Sequence, residues 1–250
     1  MKNMKEFDYE LKEGEGKSII FIHGWLGSKD FWKLITPYIQ LKNPFLRYNQ
    51  KCHAKSNKKY DIDILAEDLH QLIQKLDLED PILVGHSMGG MTALKYATKY
   101  DNYSGLVLLA TSASTPDPKN KSTKYFLEKF DKLDRKEWAE KITENYVGSN
   151  NQEIKEMTRK ELQKAKEKPI IEGLKAMINY DVTDKFNNFE KPAIVVAGKK
   201  DQAITQNKSK EVATILKCDL KSLETTHQML PEEPQKVANI ISQFAKNEVK

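Results

Sequence analysis

Two cysteines, three arginines and no long apolar run set the first limits on this 250-residue chain. Cys52 and Cys218 lie far apart and match no metal-ligand spacing, so neither a thiolate metal centre nor a disulfide framework is expected. They read as free thiols of a reducing compartment, and the protein is expected in the cytoplasm. No stretch approaches the roughly 18 apolar residues of a membrane-spanning helix, so no membrane contact is expected. The N-terminal stretch is charged and lacks an apolar centre, which argues against a secretory signal. Arginine occurs only at Arg47, Arg135 and Arg159. The net charge of +5 is carried by lysines that alternate with Asp and Glu instead of gathering on one run. A nucleic-acid partner is therefore not expected. Internal repeats and low-complexity tracts are absent too.

What is present suits a globular protein. Hydrophobic residues make up 39% of the chain, enough for an ordinary core. The length fits one large domain, or one domain with an insertion, that needs no staples.

Short apolar runs alternate with amphipathic stretches, the mark of an α/β fold with a mainly parallel sheet. The runs are Ser18–Ile22, Pro81–Val84, Leu106–Ala110, Ala193–Ala197 and Leu220–Leu223, with Phe45–Tyr48 weaker. Phe7–Leu11 reads as an edge strand of an N-terminal hairpin, with Gly14 and Gly16 in its turn. Phe31–Leu41 reads as a helix interrupted near Pro37. Ile62, Leu65, Leu69, Leu72, Ile73 and Leu76 recur at helical spacing, capped by Asp61 or Asp63. Met91–Tyr100 follows as a helix. Glu233–Lys246 closes the chain, with Val237, Ile240, Ile241 and Phe244 on one face. Between residues 114 and 184 strand signals vanish, and Phe126, Phe130, Trp138, Ile142 and Tyr146 fall at helical spacings. The expected organisation is a core of residues 1–113 and 185–250, with a helical cap of residues 114–184 inserted in it.

The most informative stretch is Gly85-His86-Ser87-Met88-Gly89, a G-x-S-x-G between a strand and a helix. A serine nucleophile must stand proud of the sheet on a tight turn, and side chains two positions either side would collide. Glycine at 85 and 89 removes both. The helix that follows offers backbone N–H groups to a developing negative charge. His23-Gly24-Trp25-Leu26-Gly27 follows the first central strand and can turn N–H groups inward. The expected oxyanion hole is the N–H of Trp25 and the N–H of Met88. His23 is expected to shape that loop.

A serine needs a base. His23 and His86 belong to the two loops already assigned, His53 sits in a polar connection, and His70 is placed on the polar side of a helix. His227, after the last strand, is the best base. The acid belongs between serine and histidine in chain order. Asp201, at the end of the Ala193–Ala197 strand in Gly198-Lys199-Lys200-Asp201, is the first choice and Asp184 the fallback. Trp25, Met88, Met229 and the cap aromatics Phe126, Phe130, Trp138 and Tyr146 are candidates to line a substrate pocket. The competing role for the aromatics is to pack the cap onto the core.

With these residues in place, the chain resembles the α/β-hydrolase superfamily over essentially its whole length. The resemblance rests on HGWLG (His23–Gly27), GHSMGG (Gly85–Gly90), GKKD (Gly198–Asp201) and THQMLPEEP (Thr226–Pro234). It implies an eight-stranded, mostly parallel sheet with a helical cap inserted after the sixth strand. One region departs: many relatives carry D-x-R-G-H-G-x-S where Asn49–Ser56 stands, and only His53 and Ser56 match. Ser87 argues against the dehalogenases and epoxide hydrolases of this fold, which use Asp there. HGWLGSKDFW is similar to the SHCHC synthases of the menaquinone pathway, which are lyases. Those carry an Arg after the nucleophile's Gly-Gly, where Met91 stands here.

The leading expectation is a serine hydrolase of carboxylesterase type, acting on small to medium esters or lactones through an acyl-enzyme on Ser87. It needs no metal or organic cofactor, and its partner is the small-molecule substrate, with a homodimer left open. The alternatives are the lyase and a small-molecule receptor on the same fold.

Overall fold

The computed structural model describes residues 7–50, 61–115, 128, 134–146, 151–164 and 167–247. Among these residues the apolar runs form one seven-stranded sheet of order β1-β3-β2-β4-β5-β6-β7. The strands are β1 (Tyr9–Lys12), β2 (Ile19–Ile22), β3 (Phe45–Tyr48), β4 (Ile82–His86), β5 (Gly105–Leu109), β6 (Ala193–Gly198) and β7 (Asp219–Leu223). Every pair is parallel except β1 with β3. The central strands are buried on both faces, which is why they read as continuous apolar runs.

The two-residue period of a strand sorts their side chains onto two cores. Ile20, Ile22, Leu83, Leu106, Leu108 and Val195 point to one face. Helices α1 (Ile62–Lys75), α2 (Met88–Ala97) and α6 (Gln206–Leu216) cover that face through Leu65, Leu69, Met91, Leu94 and Val212. Ile19, Phe21, Ile82, Val84, Val107 and Val196 point to the other. There Val237, Ile241 and Phe244 of α8 (Pro234–Asn247) pack with Trp32, whose ring lies 4.9 Å from Phe21.

Among the described residues three helices lie between β5 and β6: α3 (Arg135–Tyr146), α4 (Gln152–Lys164) and α5 (Glu167–Met177). Their shared core is Trp138, Ala139, Ile142, Leu162, Ile170 and Leu174. The chain leaves and rejoins the sheet side by side. Ser114 bridges Asp181, Thr115 N–H donates to the Tyr180 carbonyl at 2.7 Å, and Val182 N–H donates to the Ala113 carbonyl at 2.8 Å. A short α7 (Met229–Glu232) precedes α8.

Four details differ from the sequence reading. The sheet has seven strands among the described residues, one fewer than the resemblance implies. No N-terminal hairpin forms: Glu15 N–H donates to the Lys42 carbonyl, so the Gly14–Gly16 turn packs beside the approach to β3, and β3 inserts between β1 and β2. Phe31–Leu41 is two 3-10 segments, Lys29–Leu34 and Thr36–Tyr38, because Pro37 lacks the N–H a continuous helix needs. α2 starts at Met88, directly after Ser87, with Gly89 and Gly90 inside it. Of the two offered caps, Asp61 accepts from Ile64 N–H at 2.8 Å, while Asp63 pairs with Lys95. No helix among the described residues is long and apolar enough to cross a membrane.

Candidate active site

β4 delivers Ser87 to the carboxyl edge of the sheet, and α2 carries the chain away at once. Between them Ser87 holds φ 54° and ψ −122°, a conformation that L residues rarely adopt. Its neighbours enforce it. Ser87 N–H donates to the Leu109 carbonyl at 2.9 Å, and Thr111 Oγ1 donates to the Ser87 carbonyl at 2.8 Å. A Cβ on Gly85 would stand 2.5 Å from the Gly89 carbonyl oxygen, and one on Gly89 would strike the Ile22 backbone. The first is the collision anticipated from the spacing, and the second comes from the neighbouring strand β2.

Asp201 follows the end of β6, and His227 follows β7. The structure brings both to Ser87. His227 Nε2 lies 3.0 Å from Ser87 Oγ, and His227 Nδ1 lies 2.8 Å from Asp201 Oδ2. The Asp201 side chain is fully buried, and its Oδ1 accepts from the N–H groups of Ala203 and Ile204 at 2.8 Å each. Such a carboxylate fixes the imidazole tautomer: Nδ1 carries the proton, and Nε2 is left to accept from the serine hydroxyl. Asp184, the fallback acid, is exposed in a 3-10 turn.

A known family described as alpha/beta hydrolase fold matches residues 17–234. The chain belongs to that α/β-hydrolase family. The AB hydrolase superfamily protein YisY of Bacillus subtilis is 25% identical over 252 residues, covering 93% of this chain and 92% of that one. Among solved structures, the enol-lactonase from Burkholderia xenovorans matches with TM-score 0.88 and 18% identity, over 96% of each chain. The esterase EaEST from Exiguobacterium antarcticum matches with TM-score 0.85 and 20% identity, over 98% of this chain and 97% of that one.

The loop after β2 is a tight turn closed by Gly27 N–H on the Gly24 carbonyl at 3.1 Å, with Leu26 at φ 63°. It lies against the nucleophile: a Cβ on Gly24 would be 3.0 Å from Ser87 Cβ. Met88 is the first residue of α2, so its N–H has no acceptor within the helix. His23 is fully buried, with Nδ1 2.8 Å from the Gly24 carbonyl and Nε2 accepting from Gln50 N–H at 3.0 Å. Both nitrogens serve the loop, as expected of His23.

The pocket candidates fare differently. Trp25 is part-buried, and its indole Nε1–H donates to the Ile170 carbonyl of α5 at 2.9 Å. Met88 and Met229 sit in the two cores that flank the sheet. Both side chains are buried, Met88 in the core under α2 and Met229 in the core under α8, because the elbow and α7 turn them into the sheet layers. Trp138 is buried in the shared core of α3–α5. Phe126, Phe130, Cys52 and His53 lie outside the described residues, as does the side chain of Tyr146.

Four residues of the site escaped the sequence reading. Gln50 is buried and ties the site together: its Nε2 donates to the His23 carbonyl at 2.6 Å, and its Oε1 accepts from Thr92 Oγ1 at 3.0 Å. Glu232 grips the residue before His227, accepting from Thr226 N–H at 2.7 Å and Thr226 Oγ1 at 2.8 Å. Thr111 braces the elbow as described. His86 is the fourth, through its contact with His227 at 3.0 Å. Only His86 and Glu232 carried a signal, since both fall inside the quoted motifs.

Proposed function

We propose that the protein is a serine hydrolase that cleaves small to medium carboxylic esters or lactones through an acyl-enzyme on Ser87. The hydrogen-bonded line Ser87–His227–Asp201, mounted on a strained strand-to-helix elbow, carries this reading. Ser87 Oγ attacks the substrate carbonyl carbon as its proton passes to His227 Nε2. Asp201 stabilises the imidazolium that forms. The former carbonyl oxygen, now an oxyanion, accepts from the N–H groups of Trp25 and Met88. Collapse breaks the ester bond, and the departing alkoxide takes the proton from Nε2. A water then gives a proton to Nε2, attacks the acyl carbon, and releases the acid and free Ser87. With a lactone, the leaving alcohol stays on the acid, and the product is a hydroxy acid.

The scheme needs no metal or organic cofactor. The helices between residues 114 and 184 serve as a cap over the site. An enol-lactonase and an esterase among the solved relatives support an acyl-oxygen substrate class. Met91, buried in the core, stands where the lyase reading expects an Arg.

The test is steady-state turnover of p-nitrophenyl acetate, butyrate and palmitate and of a proline nitroanilide, by wild type and Ser87→Ala. The two short esters are expected to be the best substrates and the nitroanilide nearly inert. Ser87→Ala is expected to lose at least about 10³-fold in kcat. Rapid cleavage of the nitroanilide with weak ester turnover would move the protein to the peptidases. Release of only one equivalent of product would make it a receptor.

A further inference from the structure

The loop that carries one proposed oxyanion donor is held at its two ends by different parts of the molecule. At the His23 end the hold belongs to the sheet layer, through Gln50 on both the ring and the carbonyl of His23. At the Trp25 end it belongs to α5. The indole Nε1–H donates to the Ile170 carbonyl at 2.9 Å, a contact 145 residues away in sequence. The ring lies close against Gly173, where an added Cβ would stand 2.6 Å from Trp25 Cδ1 and 3.2 Å from Nε1. Trp25 and Leu26 both pack on the cluster of Trp138, Ile142, Leu162, Ile170 and Leu174.

Glycine within a helix costs about 0.5–1 kcal/mol relative to alanine. Gly173 sits within α5, where its missing side chain is what lets the indole approach. Trp25 itself sits in the tight turn closed by Gly27 N–H on the Gly24 carbonyl, with Leu26 at φ 63°, a conformation costly for a bulky residue. A turn so constrained passes a displacement of the indole on to the Trp25 N–H.

We propose that Trp25 is a positioning residue through which α5 sets the oxyanion hole: the indole seated on Ile170 and Gly173 aims the Trp25 N–H at the reacting carbonyl. The inference rests on the serine-hydrolase reading. It makes seating of the helical insertion a condition for turnover and not only for substrate binding. A ligand that lifts α5 lowers kcat, and one that presses it down raises kcat.

The test compares Gly173→Ala, Trp25→Phe, the double variant and Ser87→Ala. It measures kcat and KM on p-nitrophenyl butyrate, inhibition by a trifluoromethyl ketone that forms a tetrahedral adduct, and thermal stability. Alanine strengthens a helix and offsets part of the cost of displacing the indole, so Gly173→Ala is expected to stay folded, with at most a modest drop in melting temperature, while kcat falls about tenfold or more. KM should stay within about twofold, and affinity for the ketone should fall in step with kcat/KM. Trp25→Phe removes the indole donor and is expected to lose kcat similarly. In that background Gly173→Ala should cost less than about twofold more, because the two changes break the same contact. Wild-type kcat in Gly173→Ala, a loss confined to KM, or equal fold losses in both backgrounds would overturn the coupling. If Ser87→Ala is inactive in the same panel, only the coupling is lost. Turnover that survives in Ser87→Ala overturns the hydrolase reading itself.

Discussion

His86 and His227 are joined side chain to main chain: His86 Nε2–H donates to the His227 carbonyl at 3.0 Å. The two rings lie 5.0 Å apart, and Phe31 flanks His86 at 6.0 Å. The proposed base is therefore held at three points. Asp201 holds its Nδ1, His86 holds its carbonyl, and Glu232 holds the preceding Thr226. His86 can donate from Nε2 in this way while it is neutral, and its surroundings keep it so.

Burial, then the neighbouring His227, pushes the His86 pKa from 6.5 down to about 3. The unfolded chain binds a proton at this ring below about pH 6.5, and the folded protein does not. The resulting stability is complete above that pH and is lost as pH falls toward 3. At about 1.4 kcal/mol per pH unit, the loss between pH 6.5 and 5 is about 2 kcal/mol. His70, whose pKa burial also lowers, adds a loss of the same sign. Urea unfolding of wild type and His86→Gln at pH 7 and pH 5 separates the two. The glutamine variant should lose less stability than wild type, and parallel losses would contradict the assignment.

Asp201→Asn should reduce kcat at least about 10³-fold while the fold persists. The asparagine carbonyl can still accept from Ala203 and Ile204, but its amide then faces His227 Nδ1 and favours the wrong tautomer. Asp184→Asn should stay within about twofold of wild type. Matched stability and ester-turnover measurements check both, and a damaging Asp184→Asn would place the acid elsewhere.

Glu232→Ala should lower kcat about tenfold and stability by about 1–3 kcal/mol, since two donors of Thr226 lose their acceptor. Glu232→Gln retains one acceptor oxygen and should fall between. Equal kcat in all three proteins would show that the grip on Thr226 does not reach His227.

These cases mark what was legible in the sequence. The elbow was readable because Gly85 meets Gly89 across Ser87 within five residues, while the contact of Gly89 with Ile22 is set by the fold. Asp201 and His227 were readable because a parallel sheet delivers strand ends to one edge. Gln50 acts on His23, which only tertiary folding brings near, so its type carried no signal, while Glu232 stood inside a quoted motif with nothing in the pattern to mark it as the acceptor for Thr226. His70, placed on a polar face, instead stacks on Tyr100 at 3.8 Å between α1 and the end of α2. The hairpin reading failed at β1, whose partner is β3 and not the adjacent β2.

The central claim is a covalent intermediate on Ser87, and the most direct measurement is the mass of the protein quenched during turnover of p-nitrophenyl butyrate. Wild type should gain one butyryl group, mapped by peptide digestion to the segment containing Ser87, and His227→Ala should accumulate none at the same rate. A butyryl group on another residue, or rapid multiple turnover by Ser87→Ala, would contradict the account.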